Sequence, residues 1–117
     1  MELRQLKYFV AVAEELNFRR AAEKLFMEQP PLSRQIRRLE EELQVELFNR
    51  SKRTGVSLTP SGQAFLSEAR LTLAQAERAA TAARQGAQAR SLAIGFSIRK
   101  SASTPPIAVG LGGSVSG

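Results

Sequence analysis

The sequence predicts a mainly α fold: a winged helix-turn-helix with a two-stranded wing, followed by a long dimerisation helix. Three observations carry it. Residues 1–43 hold three apolar stripes at helical spacing, the last of them behind a Pro-Pro pair and studded with arginine. The polar, glycine-bearing segment SKRTG then separates two short apolar stretches, as a hairpin turn does. From Thr59 to about Gln88 the chain is dominated by Ala, Leu, Gln, Glu and Arg, all good helix formers.

The first helix spans residues 3 to 16, where Leu3, Leu6, Val10, Ala13 and Leu16 recur at three-and-four spacing. Tyr8 lies in this stripe and reads as packing. Asn17 ends the helix and can cap the next, FRRAAEKLF, which turns Ala21, Ala22 and Leu25 inward. Small alanines there let a neighbouring helix approach closely. The third helix covers Pro30 to Leu43, with Leu32, Ile36, Leu39 and Leu43 in one narrow sector and Arg34, Arg37 and Arg38 opposite. Pro30 and Pro31 fit its first turn, where N–H groups have no intrahelical acceptor to lose. Pro30 also disfavours the helical conformation at Gln29, which sharpens the start.

Leu47 and Phe48 read as a short strand, SKRTG as the turn, and VSL as the returning strand. Thr59-Pro60 is a helix start, with Thr as cap and Pro in the first turn. The helix that follows carries Phe65, Ala69, Thr72, Ala76, Ala79, Ala83 and Ala87 along one stripe. At 1.5 Å per residue it reaches roughly 40 Å, more than so small a domain can bury, so the stripe is expected to pack on a second chain. Beyond Arg90, SLAIGFSI alternates like one strand, and the remainder, rich in Ser, Gly and Pro, reads as poorly ordered. The expected organisation is a winged helix-turn-helix over 1–59, a long dimerisation helix over 60–88, and a strand with a tail over 89–117.

Composition narrows the chemistry. The 117 residues carry 17 basic and 11 acidic side chains, a net charge of +6, and no cysteine or histidine. Every acid is Glu. The excess of positive charge favours an anionic partner. Without Cys, neither disulfides nor thiolate metal sites are expected, and without His the commonest general base and the usual zinc ligand are missing. No catalytic residue, metal ligand or cofactor site is expected, and an enzyme is the least favoured class. The N-terminus has neither the charge pattern of a signal peptide nor the apolar length of a spanning helix, so a cytoplasmic protein with no membrane association is expected.

A helix pair whose second member is polar and basic outside and apolar inside suits a DNA major groove. Gln29, Ser33 and Arg34 stand near its N-terminal end, where base edges are reached. The plainer alternative is a solvated face laced by Arg37–Glu41 and Arg38–Glu42 pairs. In NRSKRTG, Arg50, Lys52 and Arg53 can serve a wing on phosphate or in the minor groove, or simply keep a turn soluble. The basic regions lack the aromatic platforms that bind single strands, which favours double-stranded DNA over RNA.

These segments together resemble one family. LKYFVAVAEELNFRRAAEKL, QPPLSRQIRRLEEEL and LFNRSKRTGVSLTPSGQAFL are similar to the LysR-type transcriptional regulators, with the likeness covering residues 1 to about 98. The Pro-Pro pair and the opening MELRQLKYFVAVAEE look most like members that control aromatic-compound degradation operons. The resemblance implies a winged helix-turn-helix that dimerises through its linker helix, with higher oligomers in full-length forms. It implies an effector domain after the linker, of which SLAIGFSI looks like the first strand. It places the positions of Gln29, Pro30, Pro31, Ser33, Arg34 and Arg53 at the DNA. Two positions depart: Glu28 stands where the family usually has Ser, Thr or Ala, and Gln44 where it often has Gly.

The sequence thus supports a sequence-specific DNA-binding transcriptional regulator, acting on double-stranded DNA as a homodimer. The alternative is a truncated interaction protein that pairs with a full-length regulator through the long helix. No small-molecule effector site is expected, since one strand cannot build a pocket.

Overall fold

The computed structural model describes the backbone of residues 1–97 and the side chains of residues 1–90. The elements run α1 (Leu3–Glu15), α2 (Phe18–Lys24), α3 (Gln29–Leu43), β1 (Phe48–Ser51), β2 (Gly55–Leu58) and α4 (Pro60–Ser97). This is a helix-turn-helix with a two-stranded wing and a long C-terminal helix. Two compact units are distinguished, Met1–Glu77 and the chain from Arg78 onward.

In α1 the buried face is centred on Leu6, Phe9, Val12 and Ala13. Leu3 and Leu16, expected on the inner stripe, are exposed. Leu16 is the left-handed C-cap, φ 50°, which turns it off the helical face. Asn17 caps α2 as expected, its side chain accepting the Arg20 N–H at 2.8 Å. That helix stops at Lys24, short of the expected Phe26. Phe26 instead takes the left-handed conformation, φ 57°, and stands 96% exposed in the turn before α3. The Met27 N–H closes the turn on the Ala22 carbonyl at 3.0 Å.

The core of the first unit is aromatic. Phe9 meets Phe48 at 5.3 Å and Phe65 edge-on at 4.9 Å, and Phe18 meets Phe48 edge-on at 5.9 Å. Leu32, Ile36 and Leu39 bring α3 into this core, and Ala21 and Ala22 let it approach α2 closely. Leu43, at the end of the expected stripe, is half-buried at the edge. The end of α3 is shaped by Gln44, which adopts φ 59° where glycine would be at ease. The Val45 N–H reaches back to the Glu40 carbonyl and caps the helix.

The hairpin is antiparallel, with Phe48 opposite Leu58 and Ser51 opposite Gly55. Ser51 Oγ accepts the Arg53 and Thr54 N–H groups, each at 3.2 Å, and Gly55 turns the chain with φ 84°. Thr59 then works in both directions. Its hydroxyl donates to the Glu46 carbonyl at 2.6 Å and accepts the Gly62 N–H at 2.9 Å, capping α4. Gly62 lies against the Leu47 carbonyl oxygen, which a Cβ at that position would strike.

Two expectations are corrected past residue 59. The strand foreseen in SLAIGFSI is helix: α4 runs on to Ser97, while Ile98 and the tail lie outside the described residues. A lone strand leaves its N–H and C=O groups unpaired, whereas continuing a helix pairs them within the segment. At 38 residues, α4 is about 57 Å long. The start of the same helix belongs to the first unit's core. Ala69 is 2% exposed, and Phe65, Leu66 and Leu73 pack beside it.

Candidate nucleic-acid interface

α3 divides into three rows by its own periodicity. Leu32, Ile36 and Leu39 face the core. Gln29, Ser33 and Arg37 form one outward row at i+4 spacing, and Pro30, Arg34 and Arg38 the adjacent one. Gln29, Pro30, Arg34, Arg37 and Arg38 are exposed, and Pro31 and Ser33 partly so. Glu28 caps the helix without a side-chain hydrogen bond and is exposed. The helix therefore opens with exposed amide and carboxylate groups at its N-terminal end and carries guanidinium groups one to two turns on.

The Arg37–Glu41 and Arg38–Glu42 pairs do not form. Among the described residues, Arg34, Arg37 and Arg38 have no ion-pair partner; Glu42 instead accepts the Met1 ammonium at 2.6 Å. Lys52 and Arg53, at the hairpin tip, are likewise exposed and unpaired among the described residues. Uncommitted cations on a rigid helix and on a tight turn retain their charge for an external anion.

Arg50 differs from the other wing cations. It lies in β1 opposite Val56, and its guanidinium donates to Glu40 Oε1 at 3.1 Å while lying 5.4 Å from the centre of the Phe18 ring. Sequence reasoning missed Glu40, a carboxylate in the buried sector of α3. The signal was a charged residue next to Leu39 and one turn after Ile36, on a helix whose other acids are exposed.

The long-helix residues separate similarly. Phe65 and Ala69 face the first unit's core, Thr72 donates its hydroxyl to the Glu68 carbonyl at 2.8 Å, and Ala76 is half-buried. Of the expected dimer stripe, Thr72, Ala79, Ala83 and Ala87 are exposed. Among the described residues, no cluster of acids could hold a metal ion and no helix is long and apolar enough to cross a membrane.

Residues 3–63 match the family model of the bacterial regulatory helix-turn-helix proteins, lysR family. The chain belongs to this family. It is 56% identical over 97 residues to the Hca operon transcriptional activator HcaR of Escherichia coli (strain K12), covering 82% of this chain and 32% of that protein. With the regulator AlsR of Bacillus subtilis (strain 168) it shares 50% over 98 residues, again 82% and 32% of the two chains. A crystal structure of a CbnR_DBD–DNA complex is similar at a TM-score of 0.71 and 49% identity, covering 74% of this chain and 99% of that one. The chain thus spans about a third of the length of these two curated relatives. The matched relatives are transcriptional regulators, as the sequence resemblance implied.

Proposed function

We infer that this lysR-family chain is the DNA-reading portion of a transcriptional regulator, binding double-stranded DNA in the cytoplasm as a homodimer. The observation that carries the reading is the unpaired outer surface of α3, Gln29 to Arg38, beside a wing tip carrying unpaired Lys52 and Arg53. In this reading α3 enters the major groove, Gln29, Pro30, Pro31, Ser33 and Arg34 meet base edges, Arg37 and Arg38 flank them, and Lys52 and Arg53 take phosphate or the minor groove. The likeness to a protein solved on DNA supports it.

Residues 1–59 form the DNA-binding domain and the helix from Pro60 the linker, with Thr72, Ala76, Ala79 and Ala83 as its pairing stripe. A second copy sets two reading helices on two half-sites, which is how such domains recognise pseudo-palindromes. The test is selection of duplexes from a random pool by the purified chain, followed by competition with scrambled DNA. Enrichment of one dyad motif is the expected result. A chain that pairs with a longer relative yet enriches no motif would instead be an interaction protein.

A further inference from the structure

Besides shared core packing, one carboxylate ties α3 to the wing strand by hydrogen bonds. Glu40 sits on the inner side of α3 with its side chain only 9% exposed. A carboxylate there is costly unless its oxygens are satisfied. Oε2 accepts the backbone N–H groups of Leu47 at 2.8 Å and Phe48 at 3.3 Å, and Oε1 accepts Arg50 at 3.1 Å. All three donors lie on the entry to β1 or within it. Arg50 extends the link to α2 through the face of Phe18. The covalent connection between α3 and β1 runs from Gln44 to Leu47; Gln44, Val45 and Glu46 are exposed and Leu47 is buried. A buried hydrophobe in place of Glu40 could fill space, but it could not hold the backbone of Leu47 and Phe48 in one orientation, because apolar contact is not directional.

We propose that Glu40 is a positioning residue for DNA recognition: with Arg50 it fixes the wing strand, and so Lys52 and Arg53, at a set distance from the reading rows of α3. This rests on the DNA-reading role above. It also gives Arg50 an internal role in place of the phosphate contact its sequence position suggests. The two roles for Arg50 predict opposite signs. If Arg50 were a phosphate ligand, Glu40→Gln would release a cation beside the DNA, tighten binding and steepen its salt dependence. If Glu40 positions the wing, the same change loosens β1, weakens binding and flattens the salt dependence, since lost phosphate contacts release fewer counterions.

The experiment uses the full chain as wild type, Glu40→Gln, Arg53→Ala and the double variant. Each is titrated with a selected and a scrambled duplex across a salt series, at a temperature where circular dichroism shows it folded. Hydrogen exchange of the Asn49–Val56 amides without DNA is the parallel arm. For Glu40→Gln the expected result is binding roughly threefold to tenfold weaker and a salt slope flatter by about one to two units. Arg53→Ala should cost less in the Glu40→Gln background than in wild type, and wing exchange should accelerate relative to α1. Unchanged or tighter binding by folded Glu40→Gln, or additive losses in the double variant, would overturn the proposal. Should Glu40→Gln not fold, Arg50→Met cuts the link from the side that is 28% exposed, and additive losses with Arg53→Ala again overturn it. Were wild type to bind no duplex, the DNA reading would fail on its own; wing exchange unchanged by the substitution would then dispose of the positioning role separately.

Discussion

The two halves of α4 share a helical stripe of small residues but differ in bulk, since Phe65, Leu66, Leu71 and Leu73 precede a segment, residues 77–90, with no apolar side chain larger than Ala. In the first half, Phe65 stacks edge-on against Phe9, Ala69 is buried, and Leu66 and Leu73 pack on the core. In the second, every residue from Glu77 to Arg90 is exposed. Along the sequence the stripe from Phe65 to Ala87 looks uniform in spacing, because helical periodicity identifies a face and not the body that covers it. The first half stabilises the winged unit. The second half, exposed over residues 77–90, is the part proposed to pair with a second chain.

The harshest test of that division is Phe65→Ala. It should cost about 3 kcal/mol of unfolding free energy, the low end for a large aromatic because the ring is only partly buried. The loss should not depend on protein concentration, since the partner is Phe9 of the same chain. Urea unfolding at two concentrations measures it, and a cost that vanishes on dilution would return Phe65 to the dimer interface.

Gly62→Ala probes where the docked half begins. The new methyl must displace the Leu47 carbonyl, which also accepts the Thr59 N–H at 3.0 Å. A loss of about 1–3 kcal/mol is expected by the same measurement, as for other overpacked sites. A neutral result would mean that the junction of wing and α4 is looser than the hydrogen bonds around Thr59 imply.

On the side proposed to face DNA, the contrast is one of function rather than stability. Arg34→Ala should remove about 1–3 kcal/mol of preference for the selected duplex over a scrambled one, if its guanidinium meets a guanine edge. Arg53→Ala should weaken both duplexes alike and lower the salt slope by about one unit. Neither should shift the unfolding midpoint, because neither side chain has an ion-pair partner among the described residues. Identical effects of the two on the specificity ratio would count against separate roles for helix and wing.

The smallest stability effect is expected in the exposed half. Ala79→Glu with Ala83→Glu should leave the unfolding of the winged unit within about 0.5 kcal/mol, as exposed substitutions do. Sedimentation equilibrium should nonetheless show a weaker dimer, because like charges would face one another across the pairing stripe. A dimer unmoved by both charges would show that pairing uses another surface.

Much of this was legible because it depends on near neighbours. Asn17 before an apolar run, Pro30-Pro31 ahead of Leu32, SKRTG between two apolar segments and Thr59-Pro60 each act through bonds made within a few residues. The face of α3 was legible for the same reason. The misreadings fell where distant residues decide. Leu3 and Leu16 fit a stripe whose centre the aromatic cluster moved to Phe9 and Val12. Phe26 was assigned to a helix that ends sooner. Leu92 to Ile98 alternates as a strand would, yet the chain is helical there to Ser97.

By itself, the sequence determined the order of the elements, the basic outer rows of α3 and the cations of the wing tip, since helix periodicity, caps and turn chemistry are local. Only the tertiary structure decided which cations are committed. Arg50, Lys52 and Arg53 are equivalent along the chain, but Arg50 alone meets a buried carboxylate, contributed by Glu40 ten residues before it. The tertiary structure likewise divided one alanine-rich stripe into a docked half and an exposed half. A side chain's spacing is fixed by its own helix, but its partner is fixed by packing, and packing depends on where every other element lies.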